Sequence, residues 1–238
     1  MIDCSSFPPR PRIPCLGLAD VEPLLTVRRT RIKICGLRDP EMARAASQAG
    51  ADAIGLVFHA ASPRNVDLRE AAAIARVVPA FVTVVGLFVD APEHVVRAAL
   101  GETPLGALQF SGSEPPAFCA QFGLPWVKSV PVGEGVDLVE FASRYQGASA
   151  LLLDAPVAGQ HGGTGQTFDW SRVPRGLPVP IVVAGGLNPG NVGAAIAALN
   201  PWGVDVSSGV ESGRGRKDAN LIEQFVRSVR DADARSGG

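Results

Sequence analysis

Residues 30–58 read TRIKICGLRDPEMARAASQAGADAIGLVF, and three kinds of signal follow one another in them. Arg31–Cys35 is a short β-prone run closed by Gly36. Asp39-Pro40-Glu41 then places a capping residue ahead of a proline at the first helical position, the usual opening of a helix. An alanine-rich amphipathic stretch follows and ends near Gly50, after which Ala53–Phe58 is a second apolar run. The segment therefore predicts strand, helix, strand.

The same rhythm continues along the chain. Further strands are expected at Val82–Phe88, Ala107–Phe110, Trp126–Val130, Ala150–Asp154, Ile181–Ala184 and Gly203–Val206, which makes eight. Most are continuously apolar, the pattern of parallel strands buried on both faces. Helices are expected between them. Asp67 caps Leu68–Val77 with Glu70 three residues on, a capping-box arrangement. Ala91-Pro92-Glu93, Ser113-Glu114-Pro115 and Gly135–Asp137 open the next three, the last running through Tyr145. A weak turn lies near Trp170–Val173. Asn188-Pro189 opens the seventh, and Asp218 the eighth, Ala219–Asp231.

Eight strand–helix pairs in one run predict an α/β fold, a closed (β/α)8 TIM barrel, over residues 30–238. An open doubly wound sheet would need a GxGxxG turn after the first strand. Cys35-Gly36-Leu37-Arg38 does not supply one. Residues 1–29 differ: Pro8, Pro9, Pro11, Pro14 and Pro23 interrupt them and no hydrophobic period survives, so a poorly ordered extension is expected there.

Composition narrows the function. The formal net charge of −1 offers no footprint for nucleic acid, and no basic run addresses an anionic membrane. No apolar run approaches the ~20 residues that span a bilayer, and the start of the chain lacks the pattern of a signal peptide. Cys4, Cys15, Cys35 and Cys119 form no CxxC pair, so a reducing cytoplasm is expected rather than a disulfide framework. His59, His94 and His161 do not form a ligand cluster; neither a metal nor another cofactor is expected. The oligomeric state is left open, a monomer being the simpler expectation.

A barrel carries its active site at the C-terminal ends of its strands. That rule selects Cys35, His59 to Arg64, Asp90, Gln109 to Ser111, Lys128, Asp154, Gly185-Gly186 and Asp205 to Gly209. Gly185 and Gly186 after strand seven, with Ser207, Ser208 and Gly209 after strand eight, suit a phosphate. Glycine admits backbone N–H groups to an anion, the serines add hydroxyls, and a short helix from Gly209 would point at the same group. Asp154 closes an apolar strand and suits either a turn or a general acid. Cys35 taken alone is a small buried hydrophobe, but its place on the rim also suits a nucleophile or proton acceptor. Arg64 is either a solvated loop residue or a bidentate carboxylate ligand. GQHGGTG, residues 159–165, suits a lid over a small-molecule substrate.

Taken together, the motifs resemble the phosphoribosylanthranilate isomerase family over roughly Thr30 to Ala232. They are Lys33-Ile34-Cys35-Gly36, Gly55-Leu56-Val57-Phe58, Ser62-Pro63-Arg64, Val85-Gly86-Leu87-Phe88, Leu108-Gln109-Phe110, Leu153-Asp154, Gly162-Gly163-Thr164-Gly165, Phe168-Asp169-Trp170, Ala184-Gly185-Gly186-Leu187 and Asp205-Val206-Ser207-Ser208-Gly209-Val210-Glu211. The resemblance implies an Amadori rearrangement of N-(5-phosphoribosyl)anthranilate in tryptophan biosynthesis. It implies that Asp154 opens the ribose ring as an acid and that Cys35 removes the C2′ proton. Arg64 then corresponds to the ligand of the anthranilate carboxylate, and Asp205 to the aspartate near the sugar hydroxyls. The glycines and serines correspond to the phosphate cradle. Ser111 stands where the family commonly has histidine, and Asn65 where an aromatic residue usually follows the arginine. A synthase of the related phosphate barrels would call for a lysine on strand two or three, and neither strand has one. A non-catalytic phosphosugar-binding barrel could dispense with Cys35 or Asp154; both are present.

Overall fold

The computed structural model describes residues 29–155 and 167–236. Eight parallel strands close on themselves, β1 (Arg31–Cys35), β2 (Ala53–Val57), β3 (Thr83–Phe88), β4 (Ala107–Phe110), β5 (Trp126–Pro131), β6 (Ala150–Asp154), β7 (Ile181–Val183) and β8 (Gly203–Val206). The expected strands are met to within one residue at either end. Closure is made by β8 lying beside β1, with Lys33 opposite Asp205 and Ile34 opposite Val206.

The helices are α1 (Pro40–Ala49), α2 (Leu68–Ala75), α3 (Glu93–Glu102), α4 (Pro116–Ala120), α5 (Leu138–Arg144), α6 (Val192–Leu199) and α7 (Ala219–Ser236). Their starts follow from local chemistry. The Asp39 carboxylate accepts from the Met42 N–H at 2.8 Å, and Gly50 ends α1 in the left-handed region at φ 103°. Asp67 and Glu70 form the expected capping box, each side chain accepting the other's backbone N–H at 2.8 Å. Between β6 and β7 the described residues hold a single turn of 3-10 helix, Trp170–Arg172, where a weak turn was expected. Other parts depart from expectation. The helix after β7 starts at Val192, because Asn188 and Asn191 are used in a turn: Asn188 N–H donates to Asn191 Oδ1 at 2.8 Å. A two-stranded antiparallel hairpin, β9 (Glu211–Gly213) and β10 (Arg216–Lys217), was not anticipated.

Successive strand residues face opposite ways. Ile32 and Ile34, Leu108 and Phe110, Leu151 and Leu153 point outward and join the apolar layer under the helices. Ala150, Leu152, Val182 and Ala184 point inward and form a separate small cluster within the barrel. The helical ring is closed by α7, which packs on both α1 and α6. Asp233 of α7 receives the Thr30 N–H at 2.9 Å and the Thr30 hydroxyl at 2.6 Å, tying the last helix to the start of β1. Apart from Arg29, the expected N-terminal extension lies outside the described residues. So does the proposed lid, with His161. No helix among the described residues is long and apolar enough to cross a membrane.

Candidate active site

The parity of the strands decides what enters the site. Cys35 ends β1 on the inner face, two residues beyond Lys33, and is 4% exposed. Its partner on β2 is Gly55. A Cβ there would sit 2.7 Å from Cys35 Sγ and 3.2 Å from Lys33 Nζ, so glycine makes the room that both side chains occupy. Lys33 donates to Asp205 Oδ1 at 2.9 Å, and both side chains are largely buried. Burial pushes the Cys35 thiol up, against the opposing pull of the Lys33 ammonium; Asp205 adds to the rise and Lys217 opposes it. Lys33 loses some proton affinity to burial, but Asp205 and Cys35 more than restore it, so it stays an ammonium.

Asp154 ends β6 on the same inner face. Burial pushes its carboxyl up to about 6; the Ala155 N–H opposes this, Asp205 reinforces it and Lys33 opposes it. The Ala155 N–H donates to Asp154 Oδ1 at 2.9 Å. A carboxyl with that value is half-protonated near pH 6 and still about one-tenth protonated at pH 7, which suits proton donation better than an ordinary carboxylate does.

The glycine loop after β7 meets Asp154 directly. Gly185 and Gly186 take φ of 70° and 65°. A Cβ on Gly185 would lie 2.4 Å from the Ala155 N and 2.9 Å from Asp154 Oδ1. Gly209 admits no side chain, since its Cβ would come within 1.8 Å of the Leu187 carbonyl oxygen. The loops after β7 and β8 therefore touch backbone to backbone. The helix expected near Gly209 is a three-residue 3-10 turn, Ser208–Val210. Ser207 is employed differently from Ser208. Its hydroxyl donates to the Cys35 carbonyl at 3.1 Å and accepts from Lys217 at 3.2 Å. Its only proton is thus committed within the protein.

Residues 32–228 match the family of N-(5'-phosphoribosyl)anthranilate (PRA) isomerases. The chain is 51% identical over 207 residues to the N-(5'-phosphoribosyl)anthranilate isomerase of Alcanivorax borkumensis, covering 84% of this chain and 95% of that protein. It is 52% identical over 213 residues to that of Leptothrix cholodnii, covering 90% and 96%. The chain belongs to the phosphoribosylanthranilate isomerase family. Solved structures agree. The Thermotoga maritima phosphoribosyl anthranilate isomerase superposes with a TM-score of 0.75 at 33% identity, over 85% of this chain and 99% of that one. A family structure solved with reduced 1-(o-carboxyphenylamino)-1-deoxyribulose 5-phosphate superposes with a TM-score of 0.72 at 32% identity, over 85% and 99%.

Within this isomerase fold, Arg64 is buried. Its Nε and Nη2 donate to the two oxygens of Glu211 at 2.7 and 2.9 Å, and its stem lies over Gly36, whose Cβ would come within 2.5 Å of Arg64 Cδ. Burial alone would raise the Glu211 carboxyl; the Arg64 guanidinium and then Lys217 outweigh it and bring it down to about 2. Lys217 also holds Ser207 O at 2.9 Å. Glu211 and Lys217 were not singled out from the sequence as site residues. Glu211 closes the strand-eight motif and could have been read there; Lys217 carries no local signal. Two residues expected at the rim serve the frame instead. Lys128 faces outward, 1% exposed, and pairs with Glu114 at 2.8 Å. Asp90 accepts from the Ser113 N–H at 2.6 Å and shapes a loop. Gln109 faces the barrel interior, its amide donating to the Ser111 hydroxyl at 3.1 Å. Among the described residues no group of three or more His, Cys, Asp or Glu side chains could hold a metal ion.

Proposed function

We propose that Asp154 and Cys35 are the acid and base with which this chain converts N-(5-phosphoribosyl)anthranilate to 1-(2-carboxyphenylamino)-1-deoxyribulose 5-phosphate in tryptophan biosynthesis. The observation that carries the assignment is their pairing on one inner face. There a carboxyl raised to about 6 and a thiol set against a buried ammonium share a single charged pair, Lys33–Asp205.

Asp154 gives its proton to the furanose ring oxygen. The C1′–O bond breaks toward that oxygen while the anilino nitrogen's lone pair forms a C=N bond, giving the open Schiff base. The Cys35 thiolate then takes the C2′ proton, and the C2′–H electrons form the enolamine double bond. Protonation at C1′ and loss of the enol proton give the ketose. Each transfer by a positioned side chain is worth about 10²–10⁴-fold.

Gly185, Gly186, Ser208 and Gly209 are the phosphate cradle, with Ser207 as its brace. Arg64 takes the anthranilate carboxylate on its Nη1 edge, since Glu211 occupies the opposite side of the fork. Asp205 meets the sugar hydroxyls with Oδ2, since Oδ1 is taken by Lys33. Holding the two anionic ends fixes the reacting carbons between acid and base. A family structure holds a ligand that carries both a carboxylate and a phosphate, the two groups that this reading pairs with Arg64 and the glycine loops. The free thiols of Cys35 and Cys119 accord with a cytoplasmic setting.

The test follows loss of anthranilate-conjugate fluorescence as the full chain consumes its substrate. Cys35→Ala and Asp154→Ala are each expected to lose at least about 10²-fold in kcat while binding of a reduced product analogue stays within a few-fold. Near wild-type turnover in either variant refutes that residue's role.

A further inference from the structure

We propose that the buried Lys33–Asp205 ion pair is a positioning device: a fixed dipole set along the inner wall with its positive end at the base, Cys35, and its negative end toward the acid, Asp154. The proposal rests on the assignment of base and acid given above. Neither Lys33 nor Asp205 gives or takes a proton in it; they act through the other two.

Strand order sets the direction of the dipole. Around the wall the strands run β6, β7, β8, β1. Asp154 is on β6, Asp205 on β8, and Lys33 with Cys35 on β1, all on the inner face. Asp205 thus stands between Lys33 and Asp154. Lys33 stands beside Cys35, since the Nζ and Sγ atoms both lie within 3.2 Å of the point where a Cβ on Gly55 would be. The pair cannot turn round, because Lys33 and Asp205 are register partners in the β1–β8 ladder. The Lys33 ammonium donates to Asp205 Oδ1 at 2.9 Å and also hydrogen-bonds the Cys35 side chain.

The charges facing each reacting group agree with that direction. Cys35 is faced by Lys33 from its own strand, Asp205 from β8 and Lys217 from β10. Of the pair, Lys33 acts on it more strongly than Asp205. Asp154 is faced by the Ala155 N–H, Asp205 and Lys33. Here Asp205 is the stronger of the pair. The dipole therefore favours thiolate at the base and the protonated form at the acid.

That bias matters because burial works against the base. The reaction needs a thiolate and a carboxylic acid together, yet Asp154 ionises at about 6 and the Cys35 thiol well above that. The productive form is a minor one, and its share shrinks tenfold for each pKa unit that separates the two groups. A dipole that narrows the gap from both ends raises the productive share by the product of its two effects.

The experiment uses the full chain with Lys33→Met and Asp205→Asn combined, so that no lone charge stays buried. The thiolate ultraviolet absorbance of the free protein, with Cys35→Ser in the same background as blank, reports the base. The acid limb of kcat/KM against pH reports Asp154. The expected result is a Cys35 titration raised by about one unit, an acid limb lowered by about half a unit or more, and kcat reduced by about tenfold or more. A folded variant whose thiol titration and acid limb both stay in place overturns the proposal, as does a shift of both in the same direction. Lys33→Gln and Lys33→Arg stand in if the double variant does not fold. The first is expected to raise the thiol titration and the second to leave it within a few tenths of a unit; the reverse of either overturns the proposal. Failure of the base assignment shows separately, as retained turnover in Cys35→Ala, and leaves the thiol titration readable.

Discussion

Of the three buried lysine–carboxylate pairs among the described residues, Lys128–Glu114 and Lys33–Asp205 are nearly equal in length and lie on opposite faces of the strand wall. Lys128–Glu114 spans 2.8 Å and Lys33–Asp205 2.9 Å. Lys128 lies on the outer face of β5. Its ammonium also meets the carbonyls of Gly112 at 2.5 Å and Phe110 at 3.4 Å. The two oxygens of Glu114 take the backbone N–H groups of Asp90 and Gly112 at 2.8 and 2.9 Å. The outer pair is saturated and locks the loops after β3 and β4. The inner pair is not saturated, and Cys35 and Asp154 feel its charge. Residue type and burial do not tell these two pairs apart; the face of the strand does.

The largest effect expected from this contrast is on stability. Lys128→Met leaves Glu114 charged and buried, at a cost of about 3–5 kcal/mol, while kcat/KM measured well below the melting transition stays within about twofold. Chemical denaturation and steady-state assays check both halves, and a large loss of kcat in the folded variant would break the contrast. Next comes Asp154→Asn. The folded carboxyl titrates near 6, above its ordinary 3.8. Its ionisation therefore opposes folding: the group's contribution is full below about 3.8 and is lost as pH rises through about 6. The amide removes that cost, so the inactive variant gains up to about 3 kcal/mol near neutral pH and shows a flatter dependence of stability between these two values. An equally stable variant would show that burial does not strain the acid.

Glu211→Gln gives a smaller change. It weakens the grip on Arg64 and Lys217 without touching the reacting atoms, and KM is expected to rise about 5- to 30-fold, corresponding to about 1–2 kcal/mol, with kcat changed much less. An unchanged KM would place the carboxylate of the substrate elsewhere. The smallest effect is a limb rather than a loss: kcat/KM of the unmodified enzyme falls below about pH 6, where Asp154 takes up its proton and the thiolate has to be formed from a doubly protonated enzyme. A profile flat down to pH 4 would remove Asp154 from the free enzyme's titration.

The barrel could be read from the sequence because parallel strands packed on both faces leave apolar runs, as in Ala150–Leu153, and because Asp39, Asp67 and Gly50 mark helix ends with their own chemistry. Cys35 and Asp154 could be singled out because each ends such a run. Lys33 was within reach by the same logic, lying two residues before Cys35 and hence on its face, but its position below the rim took it off the list. Lys128 was admitted to that list because closeness to a strand end was weighed and the direction of the side chain was not. Glu211 and Lys217 were hidden for another reason. Their hairpin strands are three and two residues long, too short to leave a period. The partner that gives Glu211 its meaning, Arg64, lies 147 residues away.

The pair inside the barrel also spans the seam where the first strand meets the last, its two members 172 positions apart in the chain. During synthesis, Lys33 emerges from the ribosome early and waits for Asp205. Until β8 docks, Cys35 has neither its neighbour's charge fixed beside it nor the Ser207 hydroxyl on its carbonyl. On the assignment proposed above, turnover is a report on barrel closure itself, and a nascent or truncated chain that stops short of the eighth strand has Cys35 without the setting that would make it a base.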